Sequence, residues 1–150
     1  MRKLFLAKPD LTFFEQYNDM MEEWVGSHTQ IAPWFFAATS SYFVIDENGK
    51  LIGAASLRHY LTVEGYQTWG HIGYGVRPGE RRKGYAVQML KMMLELAQEK
   101  KIYKVLIGVH DSNIGSWKTV EKCGGVLENT VLVSNDEEPI RRYWIDNTVR

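Results

Sequence analysis

Apolar positions change their spacing several times along the chain, and each change marks an element. Residues 2–7 read as a short strand. Pro9-Asp10 then opens a helix: Asp10 can cap it, and Leu11, Phe14, Tyr17, Met21 and Trp24 recur at helical spacing before Gly26 stops it. Residues 27–40 hold no clear period. Residues 42–46 and 51–60 read as two strands joined by Glu47-Asn48-Gly49-Lys50, because Asn-Gly between apolar runs suits a tight hairpin turn. A polar loop leads to a third strand over 69–77, where Gly73 and Gly75 predict a bulge or the close approach of another backbone or ligand.

The clearest helix spans 82–100. Ala86, Met89, Leu90, Met93, Leu94 and Ala97 form one face, and Gln88, Lys91, Glu95 and Gln98 the other. Residues 103–109 are almost continuously apolar, as a strand buried on both faces requires. A helix over roughly 113–123 follows, with Asp111 or Ser112 as cap and Gly124-Gly125 as stop. Two strand-like runs, 126–134 and 140–146, close the chain. A strand, a long helix and a buried strand predict a right-handed crossover, hence a mixed sheet in an α/β (α+β) domain covering 1–150.

Charge narrows the function. Lys plus Arg and Asp plus Glu are 18 each in 150 residues, so the field that a general nucleic-acid binder needs is missing. Cys123 is the single cysteine, which excludes an internal disulfide and a Cys-based zinc site; no metal is expected. Lys8 interrupts the early apolar run, and no stretch nears the ~18 apolar residues of a membrane span. The expectation is a cytoplasmic protein that binds neither membrane nor nucleic acid.

Against this neutral background stands VRPGERRKGYA, residues 76–86, with four cations between a strand and a helix. The first turn of a helix has N–H groups without internal partners and carries partial positive charge, so it attracts anions. Cations at that end oppose the helix dipole, a broken local rule that points to function. Gly84 lets a bulky anion reach the backbone, and Ala86 is nearly as small. Two phosphate motifs fail: Tyr85-Ala86 stand where a P-loop needs Lys and Ser/Thr, and Pro78 ends a possible G-x-G-x-x-G begun by Gly73-Tyr74-Gly75.

Arg81-Arg82-Lys83-Gly84-Tyr85-Ala86 resembles the R/Q-x-x-G-x-G/A signature of the GNAT acyl-CoA N-acyltransferases, with a strand ending V-x-P before it and a long amphipathic helix after it. A second run, Asn113 to Gly125, resembles the family's N-x-x-S-x-x-x-Y-E-K-x-G-F: Asn113, Ser116, Glu121, Lys122 and Gly124 match. Val120 stands where many members have tyrosine, and Gly125 replaces the usual aromatic. The resemblance covers about residues 42–130. GHIGYGVRP, ERRKGYA and IRRYWI also resemble a bacterial subgroup of acetyltransferases.

The resemblance implies a mixed, mostly antiparallel central sheet flanked by helices, whose VRP strand and next buried strand run parallel, start side by side and splay, leaving a gap for acetyl-CoA as co-substrate. The pantetheine arm would pair with the free strand edge at Tyr74, Gly75 and Val76, at a bulge that Gly73 and Gly75 would allow. The Val76 amide would stabilise the oxyanion, and the amides and charges of Arg81, Arg82, Lys83, Gly84, Tyr85 and Ala86 would hold the diphosphate. Asn113 would bond the arm, with Ser116 close to it. The reaction implied is direct attack of a primary amine, small-molecule or peptide, on the thioester; homodimers are common in the family.

Two proton transfers need owners. His71 occupies the neighbourhood of the family's usual glutamate, and an imidazole of ordinary pKa about 6.5 suits a base; a core hydrogen bond is the other role open to it. His59 comes second, and Arg58-His59 could line the acceptor pocket instead. His28 and His110 have weaker claims. With Val120 in the tyrosine position, Ser116, Tyr143 or solvent could protonate the thiolate. Otherwise the chain is an acyl-CoA-binding sensor with little activity. Trp24, Trp34 and Trp69 could wall the acceptor pocket or simply pack. Arg141-Arg142 could meet an acidic group or a second subunit.

Overall fold

Burial on both faces of one strand organises the molecule. The computed structural model describes residues 2–27, 40–133 and 138–148. In chain order these form β1 (Leu4–Ala7), α1 (Phe14–Gly26), β2 (Ser40–Asp46), β3 (Leu51–Leu57), α2 (Val63–Gln67), β4 (Ile72–Val76), α3 (Tyr85–Glu99), β5 (Lys104–His110), α4 (Ile114–Lys122), β6 (Val126–Val131) and β7 (Ile140–Asp146). They build two antiparallel sheets, β1-β2-β3-β4 and β5-β7-β6. Every residue of β3 is buried. The two faces of β2 and β3 serve two cores, with a register shift at Val44/Ile45 interrupting strict alternation along β3. Val44, Ile52, Ala55 and Leu57 join the main cluster with Met89, Leu90 and Met93 of α3. Phe43, Leu51 and Ala54 pack instead with Met20 and Trp24 of α1.

The apolar face of α3 is the one its spacing predicts, Met89, Leu90, Met93, Leu94 and Ala97, extended by Tyr85. On α1 the predicted face is rotated. Asp10 accepts from Thr12 N–H and starts a 3-10 turn over Leu11–Phe13, so the α-helix begins only at Phe14. Phe13, Tyr17, Met20 and Trp24 therefore face the sheet, while Leu11 is 89% exposed. A short helix, α2, capped by Thr62, occupies what reads as a polar loop.

The relation of β4 to β5 sets the site. Rather than one mixed sheet, the two sheets meet just before β4, where Gly70 and Ile107 form an isolated antiparallel bridge. His71 N–H donates to Leu106 O at 2.7 Å and Gly108 N–H to Trp69 O at 3.0 Å. A Cβ on Gly70 would lie 2.1 Å from Leu106 O and one on Gly108 1.8 Å from Thr68 O, so the crossing requires both glycines. β4 pairs along β3 but forms no ladder with β5, and the space between β4 and β5 is a cleft.

The predicted bulge at Gly73 and Gly75 is absent, because β3 and β4 pair in unbroken register from Gly53–Val76 to Leu57–Ile72. Close packing explains Gly75 instead: a Cβ there would come within 2.6 Å of the Trp24 ring.

Candidate active site

The cleft has a volume of about 830 Å³ and is lined by β4, β5, the start of α3 and one side of α4. That size is within the range of small-ligand sites. Tyr74, Gly75, Val76, Arg81, Arg82, Gly84, Tyr85, Ala86, Asn113 and Ser116 all line it, so the structure brings most of the sequence-predicted site together. Lys83 and His71 do not.

The strand edge comes first. Arg77 N–H donates to Ile52 O, toward β3. Alternation then turns the N–H and C=O of Val76 the other way, to the unpaired edge. Val76 O accepts from Arg81 Nε at 3.1 Å on that edge, consistent with this orientation.

Past Val76 the chain makes a 3-10 turn over Pro78–Glu80 and reaches α3 through two left-handed residues, Arg82 (φ 62) and Gly84 (φ 81). Gly84 is the N-cap and offers no side chain, leaving the first amides of α3 without a side-chain cap. Such alternation of hand turns successive N–H groups toward one concavity that suits an anion.

The four cations of this stretch divide their work. Arg77 is turned inward, 6% exposed, donating to Leu51 O and, through Nε at 3.1 Å, to Glu23 of α1. Glu23 also accepts from Gly79 N–H at 3.0 Å, and Arg77 is the main reason its carboxyl lies below the usual range. Lys83 is tied to Glu80 at 2.8 Å and faces away from the cleft. Glu80, buried between Lys50 and Lys83, has its pKa drawn down to about 2, first by the Lys50 bond and then by Lys83. Arg81 and Arg82 remain on the cleft side, Arg81 with its guanidinium 5.8 Å from the Trp24 ring centre and Arg82 exposed.

His71 departs from the expectation of a base. Its Nδ1 accepts from Leu106 N–H at 3.0 Å, which fixes the proton on Nε2. Burial, and then Arg58 nearby, push its pKa below the ordinary value. The ring's one free lone pair is spent joining the two sheets, so His71 is a structural histidine. His59 is bonded to Ser40 Oγ at 2.9 Å. His28 and Trp34 lie outside the described residues. His110, the weaker sequence candidate, does line the cleft, its ring edge-on to Trp69 at 5.0 Å and its Nδ1 3.7 Å from Glu138.

The tyrosine position of α4 is filled by Val120, 0% exposed and unable to reach the cleft as a hydroxyl would. Val120 also explains Gly125, since a Cβ there would lie 2.5 Å from Val120 Cγ1. Tyr143 is no substitute: it is buried away from the cleft, with its hydroxyl donated to Glu121. A hydroxyl pair that the sequence did not reveal stands in the cleft instead. Tyr74 Oη lies 3.0 Å from Ser116 Oγ and donates to Ser116 O at 3.2 Å. Burial raises the Tyr74 pKa well above the ordinary value, so it stays protonated at neutral pH. Asn113, rather than Asp111 or Ser112, caps α4, accepting from Ser116 N–H at 3.3 Å. Asp111 instead binds Arg141, whose guanidinium lies 4.2 Å from the Trp117 ring centre.

A cleft thus runs between two diverging strands and ends at an uncapped helix start. The family profile described as Acetyltransferase (GNAT) family matches residues 8–125, and the chain belongs to that family. Solved structures agree in fold. An N-acetyltransferase from Staphylococcus aureus Mu50 aligns with TM-score 0.71 at 18% identity, covering 97% of this chain and 99% of its own. The yncA protein of Salmonella typhimurium, solved with its cofactor acetyl-CoA, aligns with TM-score 0.71 at 13% identity, over 98% and 95%. A chimera of spermidine N-acetyltransferase SpeG from Vibrio cholerae and hSSAT aligns with TM-score 0.68 at 16% identity, over 96% and 95%. No curated protein matches the chain in sequence. Among the described residues no helix is long and apolar enough to cross a membrane.

Proposed function

We propose that the chain transfers the acetyl group of acetyl-CoA to an amine nitrogen by direct attack, through a tetrahedral intermediate. The observation that carries this reading is the continuity of an unpaired β4 edge with the uncapped start of α3. The edge can pair with the amides of a pantetheine arm as an added strand would. The amides from Arg82 to Ala86, with Arg81 and Arg82, hold the diphosphate.

The first deprotonation, the oxyanion and the departing sulfur each have a group in the cleft. An alkyl ammonium, with pKa near ~10, must lose a proton before it can attack. We assign that proton to His110, whose imidazole lines the cleft with Glu138 at hand to steady the charge. The amine then bonds to the thioester carbon, and the Val76 N–H stabilises the oxyanion. Collapse breaks the carbon–sulfur bond. With the Tyr74 proton given to Ser116 O and Tyr74 Oη beside Ser116 Oγ, the Ser116 hydroxyl proton is the one that can turn to the departing sulfur as a charge-assisted hydrogen bond. The proton still on nitrogen leaves through solvent and one reaches the thiolate, whose ordinary pKa of about 8.5 makes the brief anion tolerable.

This hydroxyl pair favours an enzyme over a sensor that merely binds the coenzyme, since it fills the part left open by Val120. Calorimetry with acetyl-CoA and thiol release with a panel of amines test the reading together. Binding with turnover is expected; binding without turnover on any amine would leave the sensor, and no binding would remove both.

A further inference from the structure

The two ends of the cleft differ in what their charges have left to do. At the α3 end, cations and amides face the expected diphosphate. At the other end stands Arg58, immediately after β3. Because β3 and β4 are antiparallel and Leu57 pairs with Ile72, Arg58 sits beside the start of β4, and Arg58 N–H donates to His71 O at 2.7 Å. Val76 is four residues further along β4, about 13 Å at ~3.3 Å per residue. A diphosphate held past Val76, at the start of α3, is therefore remote from Arg58.

Arg58 lines the cleft and is half-buried. Among the described residues its guanidinium makes one side-chain hydrogen bond, Nη1 to Gly70 O at 3.0 Å, and no ion pair. Arg58 lies near His71, whose pKa burial and then this guanidinium push below the ordinary value, so His71 offers it no counter-charge. A half-buried cation without a counter-charge is costly to the free protein unless something supplies one. The carboxylates that line the cleft are already engaged. Glu80 is bound by Lys50 and Lys83, and Glu138 accepts from Ser112 N–H and faces His110. An acceptor rich in positive charge would thus meet Arg58 with no described carboxylate left to receive it. The sequence of residues 28–39 adds no acidic residue either, whereas Asp136-Glu137, next in sequence to cleft-lining Glu138, lie outside the described residues.

We propose that Arg58 is an anion-binding subsite for the acceptor, and that the acceptor is an amine bearing a carboxylate or similar acidic group. This rests on the acetyl-transfer reading and narrows its substrate class. The free guanidinium nitrogens can meet a carboxylate in paired hydrogen bonds while the amine reaches toward the thioester.

The test measures thiol release by the whole protein with acetyl-CoA and three sets of probes: α-amino acids, their carboxamides, and spermidine. A parallel calorimetric titration follows acetyl-CoA. The wild type is expected to favour the best amino acid over its own carboxamide roughly 10- to 100-fold in kcat/KM, the worth of one charge-assisted pair. Arg58→Gln should erase that preference mainly through the acceptor KM and leave acetyl-CoA affinity where it was. Arg58→Lys, which keeps the charge, should retain part of it and guards against a Gln variant that fails to fold. Equal use of carboxamides, a preference for spermidine, or an Arg58→Gln protein that still discriminates would overturn the subsite while leaving acetyl transfer intact. Absence of both binding and thiol release across every probe would bring down the acetyl-transfer reading, and the subsite with it.

Discussion

Two helices begin at the same cleft, and they begin differently. α4 opens with Asn113, whose side chain accepts from Ser116 N–H and satisfies one of the helix's unpaired donors. α3 opens with Gly84 in the left-handed region, which has nothing to offer, and a second left-handed residue, Arg82, precedes it. The first arrangement closes a helix end for stability. The second leaves it open, as the proposed diphosphate site requires, and accepts cations where the dipole disfavours them. A capped end builds the wall of a site, and an uncapped end is free to be the site.

The sharpest way to break this comparison is Gly84→Asp. It adds a side chain at φ 81 and a negative charge beside the expected diphosphate. Acetyl-CoA affinity should fall about 100-fold or more, the loss of several charge-assisted contacts, with the circular dichroism spectrum retained. Unchanged affinity in calorimetry would show that α3 is not the anion site.

Next in size, Tyr74→Phe removes a hydroxyl from the cleft without touching α3. Turnover should drop roughly 10- to 100-fold while coenzyme binding holds, because Tyr74 positions the Ser116 hydroxyl toward a charge that exists only as sulfur departs. A fall in affinity of the same size would place Tyr74 among the binding groups instead.

Glu80→Gln sharpens the comparison from beneath the loop. In the folded protein the Glu80 pKa lies near 2 against an ordinary 4.5, so its stabilising effect is present above pH 4.5 and is lost as pH falls toward 2. Near neutral pH the variant should lose roughly 1.5–3 kcal/mol, and its Tm should converge on the wild type's on acidification. A Tm gap independent of pH would mean that the Lys50–Glu80–Lys83 cluster is not what steadies the loop.

Asn113→Ala should show the smallest effect on the fold, about 1 kcal/mol of stability by denaturant titration, and at most a modest loss of acetyl-CoA affinity, since one bond to the arm is all it was expected to supply. A large affinity loss would mean that the capping side chain serves the ligand more than the helix, and the contrast between the two helix starts would weaken.

Where the fold was legible in the sequence, the pattern was long and the chemistry local. The α3 face, the Asn48-Gly49 hairpin and the continuously apolar β5 are set by neighbours within a few residues. The turn proposed to hold the diphosphate stood out in the sequence for the same reason, since glycine and cations sit together in one run. What escaped detection depends on residues far apart. The Tyr74–Ser116 pair spans 42 positions, and the Leu106 N–H that occupies His71 is 35 positions away. Spacing alone gives His71 a base's address; only the partner on its Nδ1 removes it. Gly75 likewise reads as a bulge residue until Trp24, from a helix some fifty positions earlier, is seen lying against it.

That contact also gives the molecule a built-in optical gauge. The Trp24 indole rests on the β4 backbone at Gly75, with the Arg81 guanidinium stacked nearby and the cleft open beside it. Any occupant that recruits Arg81 alters both the charge and the water around that chromophore. Its emission should therefore respond to occupancy of the cleft, and Trp24→Phe should separate that response from that of Trp69, the other indole in the described lining.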